Sequence, residues 1–206
     1  MPQPLIPQKQ LENAKLYSSR YEFIKTLPKG ITFLEAGVLA GDFALEVIKS
    51  CSPSKSILID PYDEIDWHAP EYGGPRWIGK ENHFNFVCKR FAQAEVKEMS
   101  DVEIIKGVYQ SFCMNSNESF DFLYMDYHTS EESITEQIEL SITRLNKNGI
   151  LGFNDYNIYF NETKTGEKMG TVTAINRFLI QNPEWYVHAF ALNDNLTSDI
   201  YLKKLT

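Results

Sequence analysis

Three oxygen-bearing side chains, Asp126, Asn154 and Asp155, follow apolar runs that read as buried strands, and together they suit a hard divalent cation such as magnesium. Such an ion keeps some of its waters, leaves positions for a ligand's oxygens and lowers the pKa of a hydroxyl bound to it. The plainer alternative is that Asp126 caps a turn while Asn154 and Asp155 form a solvated loop. His128 lies two residues past Asp126 and titrates near neutral pH, so it could serve as a general base or be a surface or capping residue. In Glu35-Ala36-Gly37-Val38-Leu39-Ala40-Gly41, Gly37 permits a tight turn and close backbone approach to a ligand, and Gly41 lets the next helix begin nearby. A strand-to-helix turn with no ligand would look the same. Asp60 could accept hydrogen bonds from both hydroxyls of a ribose, or simply form a turn with Pro61. The glycine spacing is not the GxGxxG of the dinucleotide fingerprint, and neither a GxSxG elbow nor a Walker sequence is present.

These residues need a frame that brings them to one rim. Short apolar runs at 31–36, 56–60, 102–106, 120–126 and 149–154 predict strands, with helices expected at 42–50, 82–99, 130–146 and 170–181. The helix at 130–146 is opened by the capping sequence Thr129-Ser130-Glu131-Glu132 and is expected to close at Asn148-Gly149. The strands are nearly continuous in apolar residues, which fits a parallel sheet covered on both faces. Runs at 185–191 and 198–203 are joined by only six residues and must be antiparallel neighbours, since a parallel crossover needs about a dozen or more. The reading is therefore one α/β domain over 1–206: a Rossmann-like, mostly parallel sheet with a C-terminal antiparallel hairpin and helices on both faces. Residues 1–29 would be a helical extension, with one or two helices at 8–26 covering a sheet edge, and 61–81 a lid-like insertion. In such a sheet ligands bind beyond the carboxyl ends of the strands, near the point where strand order reverses.

Composition narrows the function classes. The chain has 206 residues, 43% of them hydrophobic, which suits a single domain with a full core. Its 28 acidic against 20 basic side chains provide no field or basic run for a phosphate backbone, so nucleic acid is not expected as a partner. No apolar run approaches the roughly 20 residues of a membrane span, and the start lacks the pattern of a signal peptide, so a cytoplasmic protein without a membrane partner is expected. Cys51, Cys88 and Cys113 are odd in number and widely spaced, which suits separate buried or half-buried thiols and not a disulfide framework or a zinc site. The three Asn-x-Ser/Thr sequons at Asn117, Asn161 and Asn195 carry meaning only in a secreted protein.

From residue 31 to about 203 the sequence resembles the class I S-adenosylmethionine-dependent methyltransferases, and in particular their small O-methyltransferase-like branch. The likeness rests on four segments: Phe33 to Gly41, Ile57 to Pro61, Phe120 to His128, and Leu145 to Asp155. It implies that the backbone from Glu35 and Ala36 through Gly37 to Gly41 holds the methionine part of S-adenosylmethionine. Asp60 would hold its ribose, and Val108 and Tyr109 would lie near adenine, with Asp126 at the same cleft. Gly107 to Ser111 offers only neutral groups at the adenine position. Metal-dependent O-methyltransferases resembling this chain place an acidic residue and an acidic/amide pair where Asp126, Asn154 and Asp155 stand. Catalytic roles would fall to His128 and Asp126.

The insertion carries Trp67, Tyr72 and Trp77, aromatics that could close over a cationic cofactor and exclude water, or form a contact between copies of the chain. His68 and His83 are weaker candidates for proton transfer, and His188 reads as packing. Phe153, Tyr156, Tyr159 and Phe160 could line the acceptor side or bury the loop that carries them. The expected activity is methyl transfer to an oxygen of a small molecule, with a divalent metal as a possible aid. Two competing readings are a catalytically inactive cofactor-binding or regulatory protein on the same fold, and a nucleotide-linked oxidoreductase or hydrolase.

Overall fold

A computed structural model describes residues 4–62, 82–126, 130–156, 170–193 and 197–205. The chain enters through a 3-10 turn at Gln8–Gln10, then β1 (Lys15–Tyr17) and α1 (Arg20–Ile24). The next elements are β2 (Thr32–Ala36), α2 (Asp42–Cys51), β3 (Lys55–Asp60), α3 (His83–Phe91), α4 (Ala94–Met99), β4 (Asp101–Lys106) and α5 (Tyr109–Asn115). The chain closes with β5 (Phe120–Met125), α6 (Glu131–Ile142), β6 (Leu145–Phe153), α7 (Thr171–Gln181), β7 (Trp185–Leu192) and β8 (Ser198–Lys204).

The eight strands among the described residues form one sheet in the order β1-β7-β8-β6-β5-β2-β3-β4. Only β8 runs against its neighbours, pairing antiparallel with both β6 and β7. Strand order reverses between β2 and β5: the chain goes from β2 outward to β3 and β4, then returns to lay β5 on the other side of β2. Burial follows the layering. β2, β3 and β5 are buried almost end to end, because helices cover both faces. One face packs α1 to α4 against Phe33, Phe122, Tyr124 and Tyr201; the other packs α5 to α7 against Leu34, Ile57, Leu123 and Leu151. The three cysteines are free, Cys51 and Cys113 buried and Cys88 half-buried.

Several boundaries depart from the sequence expectation, each for a local reason. The segment at 8–26 is only partly helical: between the 3-10 turn at Gln8–Gln10 and the short α1, β1 adds a strand parallel to β7. The helix expected over 82–99 breaks at Ala92-Gln93, where Gln93 is extended. Val87 and Phe91 follow the helical stripe, but the next buried apolar residue, Val96, is five positions on and would face away from an unbroken helix. The helix at 131–142 ends earlier than expected, and Asn148-Gly149 lies inside β6. Asn148 has φ +69° there, and the β5–β6 register shifts between Phe120 and Phe122. A left-handed residue marks a helix end or a strand irregularity equally well. Helix α5, with Tyr109, Phe112 and Cys113 at helical spacing, was not anticipated. Among the described residues no helix is long and apolar enough to cross a membrane.

Candidate active site

The rim of the sheet at the strand carboxyl ends is stitched by a row of backbone bonds just past each strand. Gly37 N–H donates to Ile59 O (2.8 Å), Asp126 N–H to Ala36 O (2.8 Å), Asn154 N–H to Met125 O (2.9 Å) and Gly107 N–H to Asp60 O (3.0 Å). The loops that follow β2, β3, β4, β5 and β6 therefore leave the sheet from one line. At the reversal point Gly37 has φ +89°, and a Cβ there would lie 2.2 Å from the carbonyl oxygen of Asp126. Only glycine lets the two loops meet this closely.

Loop 37–41 is held from both sides. Asp60 accepts from Leu39 N–H (3.0 Å) through one oxygen and from Tyr62 N–H (2.6 Å) through the other. Each carboxylate oxygen can accept a second bond, so this use does not preclude ribose hydroxyls. From α3, the imidazole Nε2 of His83 donates to Leu39 O (2.6 Å), since a carbonyl only accepts. Arg90 donates to Ala40 O (2.7 Å) and to Asp42 Oδ1 (2.6 Å). Expected as a weak candidate for proton transfer, His83 in the structure supports the glycine loop. The part played by Arg90 had no signal in the sequence beyond a basic residue on a helix.

Glu35 is fully buried at the end of β2, and its Oε2 has no hydrogen-bond partner among the described residues. Burial first, and the neighbouring Asp126 carboxylate next, push its pKa well above the usual carboxylate range. A buried carboxyl oxygen left unsatisfied beside a glycine cradle fits a site for a cationic ligand. The amine and sulfonium of S-adenosylmethionine are such groups, so the residues at this rim fit that cofactor. The pair expected near adenine divides: Val108 stands 45% exposed as the residue capping α5, whereas the Tyr109 ring is buried in the core with its hydroxyl 3.1 Å from Ser141 Oγ.

The structure joins two of the three expected metal ligands. Asn154 Nδ2 donates to Asp126 Oδ1 at 2.6 Å. Asp155 is buried in a left-handed backbone conformation at the end of β6. Among the described residues no group of three His, Cys, Asp or Glu side chains could hold a metal ion. A cation is nonetheless present at the pair, and it is Arg20 of α1. Its Nη2 donates to Asn154 Oδ1 (2.8 Å), its Nε to Asn193 Oδ1 (3.0 Å), and its Nη1 lies 4.0 Å from Asp126 Oδ2. With the amide nitrogen of Asn154 turned to Asp126 and its oxygen given to a guanidinium, this donor set does not fit a divalent ion.

Behind Arg20 lies a buried polar group on β5, β8 and the residue just past β7. Asp199 accepts from Tyr124 OH (2.7 Å), Tyr201 OH (2.9 Å) and Asn193 Nδ2 (2.8 Å), with Arg20 Nε 3.6 Å away. Because β8 runs antiparallel, its first residues reach the same rim as the last residues of β5 and β6. Burial works against the Arg20 charge, but Tyr124, Asp199 and Asp126 outweigh it and hold the guanidinium protonated. No sequence argument had pointed to Arg20, Asn193 or Asp199. Their meeting depends on α1 and the hairpin, which bring together Arg20 and Asn193, 173 residues apart in the chain.

His128, Trp67, His68, Tyr72, Trp77, Tyr159, Phe160, Asn161 and Asn195 fall outside the described residues. Tyr156 is half-buried, donates to Asn176 Oδ1 (2.7 Å) on α7 and packs near Phe190 on β7.

A family model described as a methyltransferase domain matches residues 34–156. No curated protein matches the chain. Solved structures of similar fold include an O-methyltransferase from Bacillus cereus in complex with S-adenosylhomocysteine (13% identity, 90% of this chain and 80% of that one, TM-score 0.61). The O-methyltransferase TomG from Streptomyces achromogenes, in complex with S-adenosylmethionine, is 11% identical over 97% of this chain and 80% of its own, with TM-score 0.60. An rRNA methylase from Streptococcus thermophilus is 13% identical over 90% and 94%, with TM-score 0.57.

Proposed function

The chain belongs to the methyltransferase-domain family, whose model covers residues 34–156, and from that premise we propose that it methylates an oxygen of a small-molecule acceptor. The single observation that carries the binding half of this reading is the cradle at the reversal point. Gly37 is pressed against the Asp126 loop, Asp60 faces loop 37–41, and the carboxyl of Glu35 is buried with an oxygen unsatisfied. S-adenosylmethionine, when bound, supplies an electrophilic methyl group on a sulfonium. The chain's own residues do the rest. Glu35 offers its carboxyl to an ammonium, Asp60 its carboxylate to ribose hydroxyls, and Val108 an apolar surface to adenine. The acceptor would be placed beside Asp126, and His128, two residues on, is our candidate to take its proton. The rate would come chiefly from holding acceptor and donor in line.

The acidic surroundings favour a small acceptor over RNA. Asp126, Asp60 and Asp42 all act on the buried Glu35 carboxyl at this rim, and the whole chain carries a net charge of −8. The rRNA methylase with a similar fold shares only the architecture, on which many acceptors are served.

Calorimetry with S-adenosylhomocysteine in the presence of EDTA tests the cofactor half. Wild type should bind. Glu35→Gln should bind about ten- to a hundred-fold more weakly, as expected for loss of a charge-assisted bond, with its thermal midpoint unchanged or raised. No heat with the wild-type chain would end this reading. A screen of hydroxyl-bearing compounds, read by mass spectrometry for the gain of one methylene, tests the acceptor half; a chain that binds the cofactor and methylates nothing but RNA would refute it.

A further inference from the structure

We propose that Arg20 fills the cation position between the carboxyl ends of β5 and β6, so that this chain binds no divalent metal there and uses a fixed guanidinium in its place. The inference deepens the methyltransferase reading only in saying how that rim is charged; the claim about the cation stands without it. Three observations carry it. First, the two groups best suited to ligate a metal are already committed. Asn154 gives its oxygen to Arg20 Nη2 at 2.8 Å and its nitrogen to Asp126 Oδ1 at 2.6 Å. A metal would need both oxygens turned toward itself at about 2.0–2.6 Å, and would then sit a few ångströms from a guanidinium.

Second, Arg20 is built in. It is the first residue of α1, whose N-cap Ser19 accepts from Glu22 N–H. Its Nε is fixed by Asn193 Oδ1 at 3.0 Å, its guanidinium lies 5.7 Å from the centre of the Phe43 ring, and the buried Asp199 behind it is itself fixed by two tyrosine hydroxyls. Its side chain is only 16% exposed. Third, the fork is not used up. Nη1 donates to no group among the described residues and lies toward Asp126 Oδ2 at 4.0 Å, so donors remain at the rim for a ligand oxygen. By this account Arg20 is a positioning residue: it orients Asp126 and Asn154 and supplies the rim's positive charge.

The test is a titration of the full chain with Mn2+, followed by electron paramagnetic resonance, alongside binding of S-adenosylhomocysteine in EDTA. Wild type should show no stoichiometric Mn2+ site. Arg20→Ala should gain one site per chain, binding at least ten-fold tighter than wild type, and adding Asp126→Asn should remove it. Arg20→Lys keeps the charge and should stay without a site. One Mn2+ per wild-type chain, lost in Asp126→Asn, overturns the proposal, and this arm decides it even if Arg20→Ala does not fold. A folded Arg20→Ala that still refuses Mn2+ also overturns it. If the Mn2+ results come out as expected while S-adenosylhomocysteine fails to bind, the cation proposal holds and the methyltransferase reading falls.

Discussion

Gly37 is the residue on which the rim's geometry turns most sharply. Gly30 and Gly37 both adopt positive φ, at +74° and +89°, but a Cβ at Gly30 meets nothing within 4 Å, whereas one at Gly37 meets the Asp126 carbonyl at 2.2 Å. Gly30→Ala should therefore cost only the left-handed backbone penalty, about 1–2 kcal/mol. Gly37→Ala should cost roughly 2–5 kcal/mol, adding the displacement of a loop to the same penalty, and should abolish binding of S-adenosylhomocysteine. Denaturant unfolding and calorimetry on the two variants make the comparison; equal losses in both would show that the close approach to Asp126 is not what constrains position 37.

At the level of elements, α3 is the unexpected support of the site. A glycine loop after a strand is usually explained by the helix that follows it, here α2, whose N-cap Gly41 has no side chain to cap with. In this chain two of the loop's carbonyls are instead taken by α3: Leu39 O by His83 and Ala40 O by Arg90. Arg90 and its partner Asp42 are partly exposed, so the ion pair adds little to global stability. Arg90→Ala should accordingly lower unfolding free energy by no more than about 1 kcal/mol. It should weaken S-adenosylhomocysteine by roughly two- to ten-fold, the worth of one or two net hydrogen bonds in ordering the loop. Calorimetry on the variant measures both, through its midpoint and its affinity; unchanged affinity would mean that α2 and Asp60 order the loop unaided.

Across the whole molecule, the outer strands gather charge that no single element carries. β1 pairs with β7 and β7 with β8, which brings Lys15 and Lys203 around the half-buried His188. Burial first, then the two lysines, lower the His188 pKa from 6.5 to about 4. The folded chain thus resists a proton that the unfolded chain accepts, so stability is lost as pH falls from about 6.5 toward 4. Discounted for partial exposure, the loss should be on the order of 1–2 kcal/mol. Glu35 and Asp199, whose carboxyls burial pushes up, act in the opposite sense and cancel when wild type is compared with His188→Gln. Urea unfolding at pH 7 and pH 4.5 should show the smaller drop for the variant; parallel drops would mean that His188 does not resist protonation in the fold.

What was legible in the sequence was whatever depends on neighbours along the chain. The apolar runs of β2, β3 and β5 had to be buried on both faces, Gly37 and Asp60 had to follow strands, and the short link before β8 had to make a hairpin. Periodicity and turn chemistry act over a few residues, and they placed the cradle at the right rim. Contacts between distant segments carry no such local mark. That β1 is a strand depends on β7 offering an edge. That Tyr109 faces the core depends on Ser141, and that Asp126 and Asn154 meet a guanidinium and not open space depends on Arg20 arriving from the other end of the chain. The residue types were there to be read; which charge sits between the two carboxyl-end loops was decided only when the N-terminal helix packed over the hairpin.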